Sequence, residues 1–420
     1  MSKTIADLIV RWRWAVFILA VGMAVSAANG IRLLGFSTDY RVFFSQDNPQ
    51  LVAFEELQDT YTKSDNVMFV LAPVSGDVFS ARMLEAVAWL TEQSWQIPYS
   101  IRVDSITNFQ HTWAEGDDLI VEDLVTDPAI LGEQDIQRVR EVAIREPLLV
   151  DRLVSPSGHV TAVNVTIQLP GTHMATEVPE VVEFSRNLVR QLNDRYPGIE
   201  THLTGVVLLN NAFSEMSERD IKTLIPIMFL VIIVVLALLL RSFTGTVVTL
   251  LMIVLSIVTA AGAAGWMGIS LTPPSASAPT MILTLAVADS VHLLITFLQR
   301  VRHGDSRVDA MRESLRINLQ PIFLTSVTTA IGFLSMNFSD APPFRDLGNI
   351  VSIGVLAAFF YTIAILPALM LLLPVRVKAA HNGTLAAMDG LADFVIKWRR
   401  PVLVSMSLIT LLLVFHIKDN

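Results

Sequence analysis

The chain has no cysteine among its 420 residues, and only 16% of those residues are charged. The missing cysteines exclude disulfides, thiolate metal sites and cysteine nucleophiles. P-loop, HExxH and GxSxG patterns are also missing. The histidines of the region before the second apolar run have no close metal-ligand spacing; they are His111, His159, His173 and His202. The sequence therefore predicts neither an enzyme nor a bound cofactor or metal.

Hydrophobic residues, in contrast, make up 52% of the chain and are concentrated in long apolar runs. Seven of these runs predict a polytopic α-helical membrane protein with about seven spans. The first run carries a signal-peptide-like Val25-Ser26-Ala27 pattern but continues to Leu34, so we expect it to remain as an anchor. The runs are Trp14–Leu34, Leu224–Leu240, Thr246–Ile269, Ala276–Leu298, Ile322–Phe338, Leu347–Leu373 and Val402–Phe415.

Charged residues are distributed unevenly between the two sides of the predicted spans. Residues 35–219 contain 28 acidic and 12 basic side chains, a net charge of −16, whereas the rest of the chain is net positive. Basic residues precede the first span and are frequent between the fourth and fifth spans. Because Lys and Arg accumulate in cytoplasmic loops, we expect a multi-pass protein of the inner (cytoplasmic) membrane. Its N-terminus would be cytoplasmic and residues 35–220 extracytoplasmic.

The predicted outer region combines strands and helices in two similar blocks. Each block has the order strand, helix, strand, which predicts an α+β ferredoxin-like domain. The acidic segment between the blocks, Ala114–Glu146, predicts a helix-prone insertion. The elements are Val67–Ala72, Ser80–Trp95, Ser100–Ile106, His159–Leu169, Pro179–Arg195 and Ile199–Leu203.

A carboxylate stands inside the fourth apolar run. Asp289 lies in Ala276–Leu298, where an ionised side chain costs about 2.5–3.5 kcal/mol on insertion scales. His292 and Thr296 follow at helical spacing, so we expect all three side chains on one helix face. Such a face suits a proton path, and the alternative is a buried Asp–His pair that only fixes helix packing.

Two short segments of the chain repeat each other. Residues 6–16 read ADLIVRWRWAV and residues 392–402 read ADFVIKWRRPV, and each precedes an apolar run. Repeats of this kind are typical of transporters, which bind substrate or coupling ions at the repeat interface. The seventh span therefore looks like the first span of a second copy.

These features divide the chain into five parts. Between the fourth and fifth spans, an apolar stripe from Val308 to Leu319 also predicts a cytoplasmic helix that lies against the membrane or against the span ends. The parts are an N-terminus with the first span (1–34), an extracytoplasmic α+β domain (35–220), a five-helix bundle (221–375), a cytoplasmic linker (376–400) and the start of a second repeat (401–420).

Several segments resemble the resistance–nodulation–division (RND) superfamily of exporters, in particular its MmpL-type and sterol-sensing-domain branch. The segment Leu285–Leu294 (LAVADSVHLL) resembles the fourth-span motif of that family, and Ser290 stands where many relatives have an aromatic residue. The other similar segments are RSFTG at 241–245, LTSVTTAIGF at 324–333, FSDAPPFRD at 338–346, IGV at 353–355 and LPAL at 366–369.

The resemblance implies a role for individual residues. Asp289 would carry the proton, and His292 would polarise or relay it. Thr325, Thr328 and Thr329 of the fifth span would hydrogen-bond the carboxylate, unless they serve only in helix packing. The proton gradient would take the place of a cofactor, and residues 35–220 would form a porter-type domain.

The resemblance also implies a function and partners. The chain would export a lipid or another hydrophobic or amphipathic molecule, driven by the proton motive force. The family relay needs a second RND half, either a further C-terminal repeat or another six-span subunit. Other copies of the chain and a periplasmic protein are further candidate partners, and nucleic acid is not. The alternatives are a lipid- or sterol-responsive membrane protein or scaffold, and a Sec-type accessory of protein export.

Overall fold

The protein consists of an α+β domain and a bundle of long apolar helices. Among the residues that the structure describes, six helices are long and apolar enough to cross a membrane, and a bent helix pair near the end of the chain would make a seventh. The chain is therefore a multi-pass membrane protein, as its apolar runs predict. His173 and the first part of the predicted linker (376–382) lie outside the described residues. The computed structural model describes residues 2–37, 39–61, 65–171, 174–375 and 383–416.

The N-terminal part contains two helices that are separated by a break, and a third that leads into the α+β domain. The break falls at Trp12, between the amphipathic first helix and the first span. The third helix starts with Pro49, and the side chain of Asn48 caps it by accepting hydrogen bonds from two backbone amides. The bounds are α1 (Ser2–Arg11), α2 (Arg13–Ala28), a 3-10 turn (Asn29–Leu33) and α3 (Pro49–Thr60).

The α+β domain is built around one four-stranded antiparallel sheet. Its order is β2-β5-β1-β6, so each of the two strand–helix–strand blocks supplies one central and one outer strand. The bounds are β1 (Asp65–Pro73), α4 (Ala81–Ser94), β2 (Ser100–Asp104), β3 (Gln110–Glu115), β4 (Asp118–Asp123), α5 (Glu133–Ala143), β5 (Thr161–Ile167), α6 (Met174–Arg195) and β6 (Ile199–Thr204).

The two faces of this sheet differ in their cover. Val67, Phe69 and Leu71 of β1 are fully buried in the core that α4 and α6 complete. The alternate residues of the same strand, Asn66 and Met68 among them, are only half-buried. Because side chains alternate along a strand, helices cover one face and the other is partly open.

The insertion between the two blocks is only partly helical. β3 and β4 form a separate two-stranded hairpin, and α5 follows it. The turn contains Gly116 in the left-handed region at φ +63°, and the apolar Leu119-Ile120-Val121 run favours a strand. The prediction of a helix-prone segment over Ala114–Glu146 is therefore wrong for its first part.

The α+β domain continues into the bundle without a loop. α7 and α8 form one continuous helical rod, joined by a π-helical turn at Asp220–Leu224. The predicted boundary between residues 220 and 221 falls at this turn. The bounds of the remaining helices are α7 (Val206–Arg219), α8 (Ile225–Leu240), α9 (Phe243–Trp266), α10 (Ala278–Arg302), α11 (Arg307–Leu334), α12 (Pro342–Leu372), α13 (Gly383–Lys397) and α14 (Arg399–His416).

The fifth span begins earlier than its apolar run. α11 is a single helix of 28 residues, which passes through Pro321. Its first half buries Met311, Leu315 and Leu319 in the bundle, where it contacts α1 and α10. The helix predicted between the fourth and fifth spans is therefore present and packs against α1 and α10, but it is continuous with the fifth span as the first half of α11.

Glycines let α9 approach α2 and the 3-10 turn that follows it to backbone contact. A Cβ atom built at Gly262 would lie 1.8 Å from the carbonyl oxygen of Ala27. A Cβ atom at Gly265 would lie 1.9 Å from the carbonyl oxygen of Gly30. Small residues are what allow membrane helices to pack this closely. The crossing of these two helices therefore depends on the absence of side chains.

The two sequence repeats have the same local structure. The helical structure is interrupted at Trp12, between α1 and α2, and in the same way at Trp398, between α13 and α14. The backbone N–H of Trp12 donates to the carbonyl of Leu8 at 2.9 Å, and that of Trp398 donates to the carbonyl of Phe394 at 2.8 Å. Equivalent positions thus make equivalent backbone hydrogen bonds, so the two segments are similar in backbone conformation as well as in sequence.

The two repeats differ in burial. In α1, Ala6, Ile9 and Val10 are buried where this helix contacts α11, and Asp7 forms a 3.3 Å ion pair with Arg312. The equivalents of Ile9 and Val10 in α13 are Val395 and Ile396, which are 49% and 64% exposed. A helix face that the bundle covers in the first repeat is uncovered in the second.

Candidate functional site

Asp289 lies on the buried side of α10, well inside a membrane-spanning helix. Its side chain is only 6% exposed, and Ala286, Ser290 and Leu293 on the same side of the helix are fully buried. This side contacts α9, α11 and α12. A carboxylate in such a position loses most of its hydration, so its charged form is costly unless protein groups compensate.

Ser326 of α11 is the residue that contacts this carboxylate. Its hydroxyl donates a 3.0 Å hydrogen bond to Oδ2 of Asp289. Ile322, Ser326 and Ala330 follow at four-residue spacing and are buried, so they form the face that α11 turns toward α10. The small side chain of Ser326 allows its hydroxyl to reach the carboxylate across the two helices.

The predicted threonine ligands of Asp289 are not in contact with it. Thr325 donates to the carbonyl of Pro321 at 2.5 Å, and Thr328 donates to that of Leu324 at 2.8 Å. Both threonines are exposed, and Thr329 is half-buried. Successive residues of a helix point about 100° apart, so Ser326 faces α10 and its neighbour Thr325 does not. The expected contact with the carboxylate is therefore wrong for Thr325 and Thr328.

Ser326 was detectable in the sequence through its spacing. It lies within the quoted LTSVTTAIGF segment, and only this hydroxyl residue of the segment lies in register with the small and apolar positions 322 and 330. Hydrogen-bonding ability pointed equally to the threonines. The four-residue spacing of the buried positions 322, 326 and 330 favours Ser326 over the threonines.

His292 lies one helical turn beyond Asp289, but its side chain is exposed at the surface of the bundle. Thr296, a further turn along, accepts a 2.9 Å hydrogen bond from the amide of Asn318 on α11. Asp289 and Thr296 thus lie along the edge where α10 meets α11. Asp289 faces inward, Thr296 is half-buried and His292 faces outward.

Further polar contacts hold α10 in place around Asp289. Ser314 of α11 donates to the carbonyl of Leu293 at 2.6 Å. On the α12 side, the hydroxyls of Ser290 and Thr362 are 3.4 Å apart. These bonds between helices fix the rotation of α10, and with it the position of the carboxylate.

We expect the substitution Ser326→Ala to destabilise the bundle by about 1 kcal/mol. A side-chain hydrogen bond between membrane helices contributes about 0.6 kcal/mol on average and up to about 1.7. The upper half of that range applies here because the acceptor is a buried carboxylate. Thermal unfolding of the purified protein in one detergent would measure the change.

The matched control is Thr328→Ala, which removes a hydroxyl that bonds only to carbonyls of its own helix. Its melting temperature should stay close to that of the wild type. Equal losses in the two variants would show that the bond between Ser326 and Asp289 contributes nothing to stability.

The residues around Asp289 offer no arrangement for a metal ion. Within the described residues, no group of three or more His, Asp or Glu side chains lies close enough to bind one. What the carboxylate can do chemically is bind and release a proton, with the hydroxyl of Ser326 as its hydrogen-bond partner.

Comparison with known proteins places the chain in a family. The family model described as MMPL family matches residues 92–404, which include the second block of the α+β domain and all helices from α7 to α13. The match therefore includes Asp289 and Ser326.

Individual relatives are similar over different lengths. The membrane protein MJ1562 of Methanocaldococcus jannaschii is 20% identical over 85% of this chain and 89% of its own length. The siderophore exporter MmpL5 of Mycobacterium tuberculosis is 23% identical over 62% of this chain, and MmpL9 of the same species is 26% identical over 59%. The matched regions are only 27% and 26% of those two proteins. Since one family model matches most of its length, the chain belongs to the MMPL family and is a membrane transporter of the RND type.

Proposed function

We propose that the chain is a proton-driven exporter of a hydrophobic or amphipathic molecule, and that Asp289 carries the proton. The observation that carries this proposal is the buried carboxylate inside a span, held by Ser326 at 3.0 Å. Burial disfavours the charged form, and the serine hydroxyl partly compensates for it. Because these two effects oppose each other, the carboxylate of Asp289 can gain or lose a proton when the proton concentration on one side of the membrane changes.

The surface beside Asp289 supports the need for a second half. His292, Thr325 and Thr328 are polar, exposed and located within spans. The hydroxyls of Thr325 and Thr328 already donate to carbonyls of their own helix, so the need for a cover rests on His292. An ionisable side chain in a span normally faces other helices or a water-filled cavity, because lipid offers it no hydrogen bonds. We propose that helices of a second RND half cover this surface, and that His292 relays protons between Asp289 and that half.

The repeat supports the same partner. The exposed face of α13 is equivalent in sequence to the face of α1 that α11 covers. Asp393 of α13 occupies the position of Asp7, which pairs with Arg312 in the first repeat. A second half whose fifth span carried an Arg like Arg312 would cover α13 in the same way. The partner is then either a further repeat or another six-span subunit.

The α+β domain fits the role of a porter domain. Its sheet order, with two strand–helix–strand blocks, supports the ferredoxin-like assignment. The charge distribution supports an extracytoplasmic position for this domain and a cytoplasmic N-terminus, in the cytoplasmic membrane. The continuous α7–α8 helix would transmit movement between this domain and the bundle.

Export can be tested in cells of the native host. A strain that lacks the gene should accumulate one lipid class in its cytoplasmic membrane, and re-expression of the gene should restore the wild-type distribution. An uncoupler that collapses the proton gradient should reproduce the accumulation within minutes. Mass spectrometry of lipids from separated membranes would measure both effects. Normal distribution in the deletion strain would favour the alternative of a lipid-responsive scaffold.

A further inference from the structure

The outer end of the α7–α8 rod is bonded to the α+β domain. The backbone N–H of Val206, the first residue of α7, donates to Oδ1 of Asn66 on β1 at 3.2 Å. Arg186 of α6 forms two hydrogen bonds to the carboxylate of Glu215 on α7, at 2.6 and 3.0 Å. A paired contact of this kind fixes orientation as well as distance. The α7 half of the rod is therefore held to the α+β domain.

The middle of the rod has no comparable attachment. Residues 220–235 include the π-helical turn and contain no buried side chain. The polar side chains of this turn bond within the rod: Thr223 donates to the carbonyl of Arg219, and Lys222 pairs with Glu218. The rod can therefore tilt or slide over this stretch without breaking bonds to other helices.

The cytoplasmic end of the rod is attached to α10, the helix that carries Asp289. Leu236 and Leu240 are the buried residues of α8, and they pack in one apolar cluster with Phe297 and Leu298 of α10. The carbonyl of Leu240 is among the last four of its helix, which lack partners within the helix. Arg302, the last residue of α10, donates to it from Nη2 at 3.1 Å.

The guanidinium of Arg302 has a spare donor at this point. Its Nε is buried and has no hydrogen-bond partner in the described part of the chain. A buried donor without a partner destabilises the state that contains it. Further carbonyls at the end of α8 are within the same turn, so a small shift of α10 along α8 could pair Nε as well. The guanidinium can therefore hold α8 in more than one position.

We propose that Arg302 couples α10 to the α7–α8 rod. A shift of α10 that accompanies protonation of Asp289 passes through the guanidinium to α8, and through α7 to the α+β domain. Asp289 and Arg302 are about 20 Å apart along one continuous helix, which moves as a unit. The inference rests on the proposed proton-driven function and adds the residue at which the bundle holds the rod. Arg302 is a positioning residue and binds neither proton nor cargo.

Arg307 makes the same kind of contact at a different helix. It is the first residue of α11 and donates to the carbonyls of Leu373 and Val375, at 3.2 and 3.4 Å. These carbonyls follow α12, which is not part of the rod. The loss of Arg307 should therefore lower stability, as the loss of Arg302 does, but leave the coupling intact.

Distances between two nitroxide labels would test the coupling. The natural chain has no cysteine, so labels attach only at Ala212→Cys on α7 and Met267→Cys at the outer end of α9. Both positions are exposed, and α9 is a fixed reference because it crosses α2 in backbone contact. Double electron–electron resonance in nanodiscs at alkaline pH would compare this protein with its Asp289→Asn variant, which stands for the proton-bound state. We expect the mean distance to differ by about 2 Å or more.

Substitutions at the two arginines separate coupling from stability. Arg302→Met removes every donor and keeps an unbranched side chain, so the difference in distance should disappear and export should fall about ten-fold. Arg302→Lys keeps a charged donor and should retain the difference. Arg307→Met should retain both the difference and export while lowering the melting temperature. If Arg302→Met does not reach the membrane, Arg302→Gln, with its shorter side chain, takes its place.

Three results would overturn the coupling. These are no difference in distance between the labelled protein and its Asp289→Asn variant, a full difference in Arg302→Met, and equal losses in Arg302→Met and Arg307→Met. The label distances need neither cargo nor a proton gradient. If Asp289→Asn abolishes export and leaves the rod in place, the proton carrier stands and the coupling fails. If the rod moves but export is normal, the coupling stands and proton-driven export fails.

Discussion

Replacing Asp289 with Asn is expected to reduce export to the level of the deletion strain while leaving the folded protein at wild-type abundance. Asparagine has nearly the same shape as aspartate, and its carbonyl oxygen can still accept the hydrogen bond from Ser326. It cannot bind and release a proton at physiological pH. The variant therefore removes the proposed proton carrier and preserves the packing of α10.

The measurement is the distribution of lipid classes between the cytoplasmic membrane and the outer envelope in the complemented deletion strain. Abundance is followed by immunoblotting of membranes, and folding by the melting temperature. The loss should exceed about 100-fold in rate, the lower end for removal of a proton-transferring group.

The matched control is Asp309→Asn, the same change in the first turn of α11, where the carboxylate pairs with Arg312 at the surface. It should export normally. If Asp289→Asn also exports at the wild-type rate, the carboxylate is a packing element. The reading as a lipid-responsive protein or scaffold would then be preferred.

The second large effect is expected for Gly262→Ala, which should prevent stable folding of the bundle. The added Cβ atom would lie 1.8 Å from the carbonyl oxygen of Ala27, so α2 and α9 must move apart. The three heavy atoms nearest to this Cβ position all belong to the backbone of Ala27 and Ala28, so no flexible side chain can move aside. Overpacking of this kind typically costs about 1–3 kcal/mol and more where backbone must shift, so we expect about 3 kcal/mol or more.

Gly22→Ala is the matched control because it makes the same change in α2, where a Cβ atom would meet no heavy atom within 4 Å. That variant should be neutral or slightly stabilising, since alanine favours a helix by up to about 1 kcal/mol over glycine. Melting temperatures in detergent and membrane abundance would be compared. Similar values for the two variants would mean that the α2–α9 crossing is looser than the structure shows.

The sequence and the structure agree best where a pattern is long. The apolar runs located the spans, because about 20 residues are needed to cross a bilayer whatever surrounds them. The strand–helix–strand blocks were also readable, since alternation and helical spacing reflect burial on one face. The helix prediction for the insertion was wrong at β4, because it relied on the many acidic residues of this segment and overlooked the short apolar run among them.

The site shows where sequence patterns become ambiguous. The sequence marked Asp289 through the cost of a carboxylate in a span, which needs no knowledge of neighbours. It did not choose among four neighbouring hydroxyl residues of α11, because each can donate a hydrogen bond. The choice of Ser326 depends on the rotation of α11 about its own axis, and contacts with α1, α10 and α12 set that rotation.

By itself, the sequence determined that this protein is a multi-pass membrane protein with a separate α+β region, an intramembrane carboxylate and a repeated helix pair. Those features follow from hydrophobicity, charge and local period, which are properties of segments. Only the tertiary structure decided which hydroxyl meets Asp289, that His292 faces outward, and that α13 lacks the cover that α1 has. Each of these depends on which helix faces meet, and that is set by packing between residues distant in the chain.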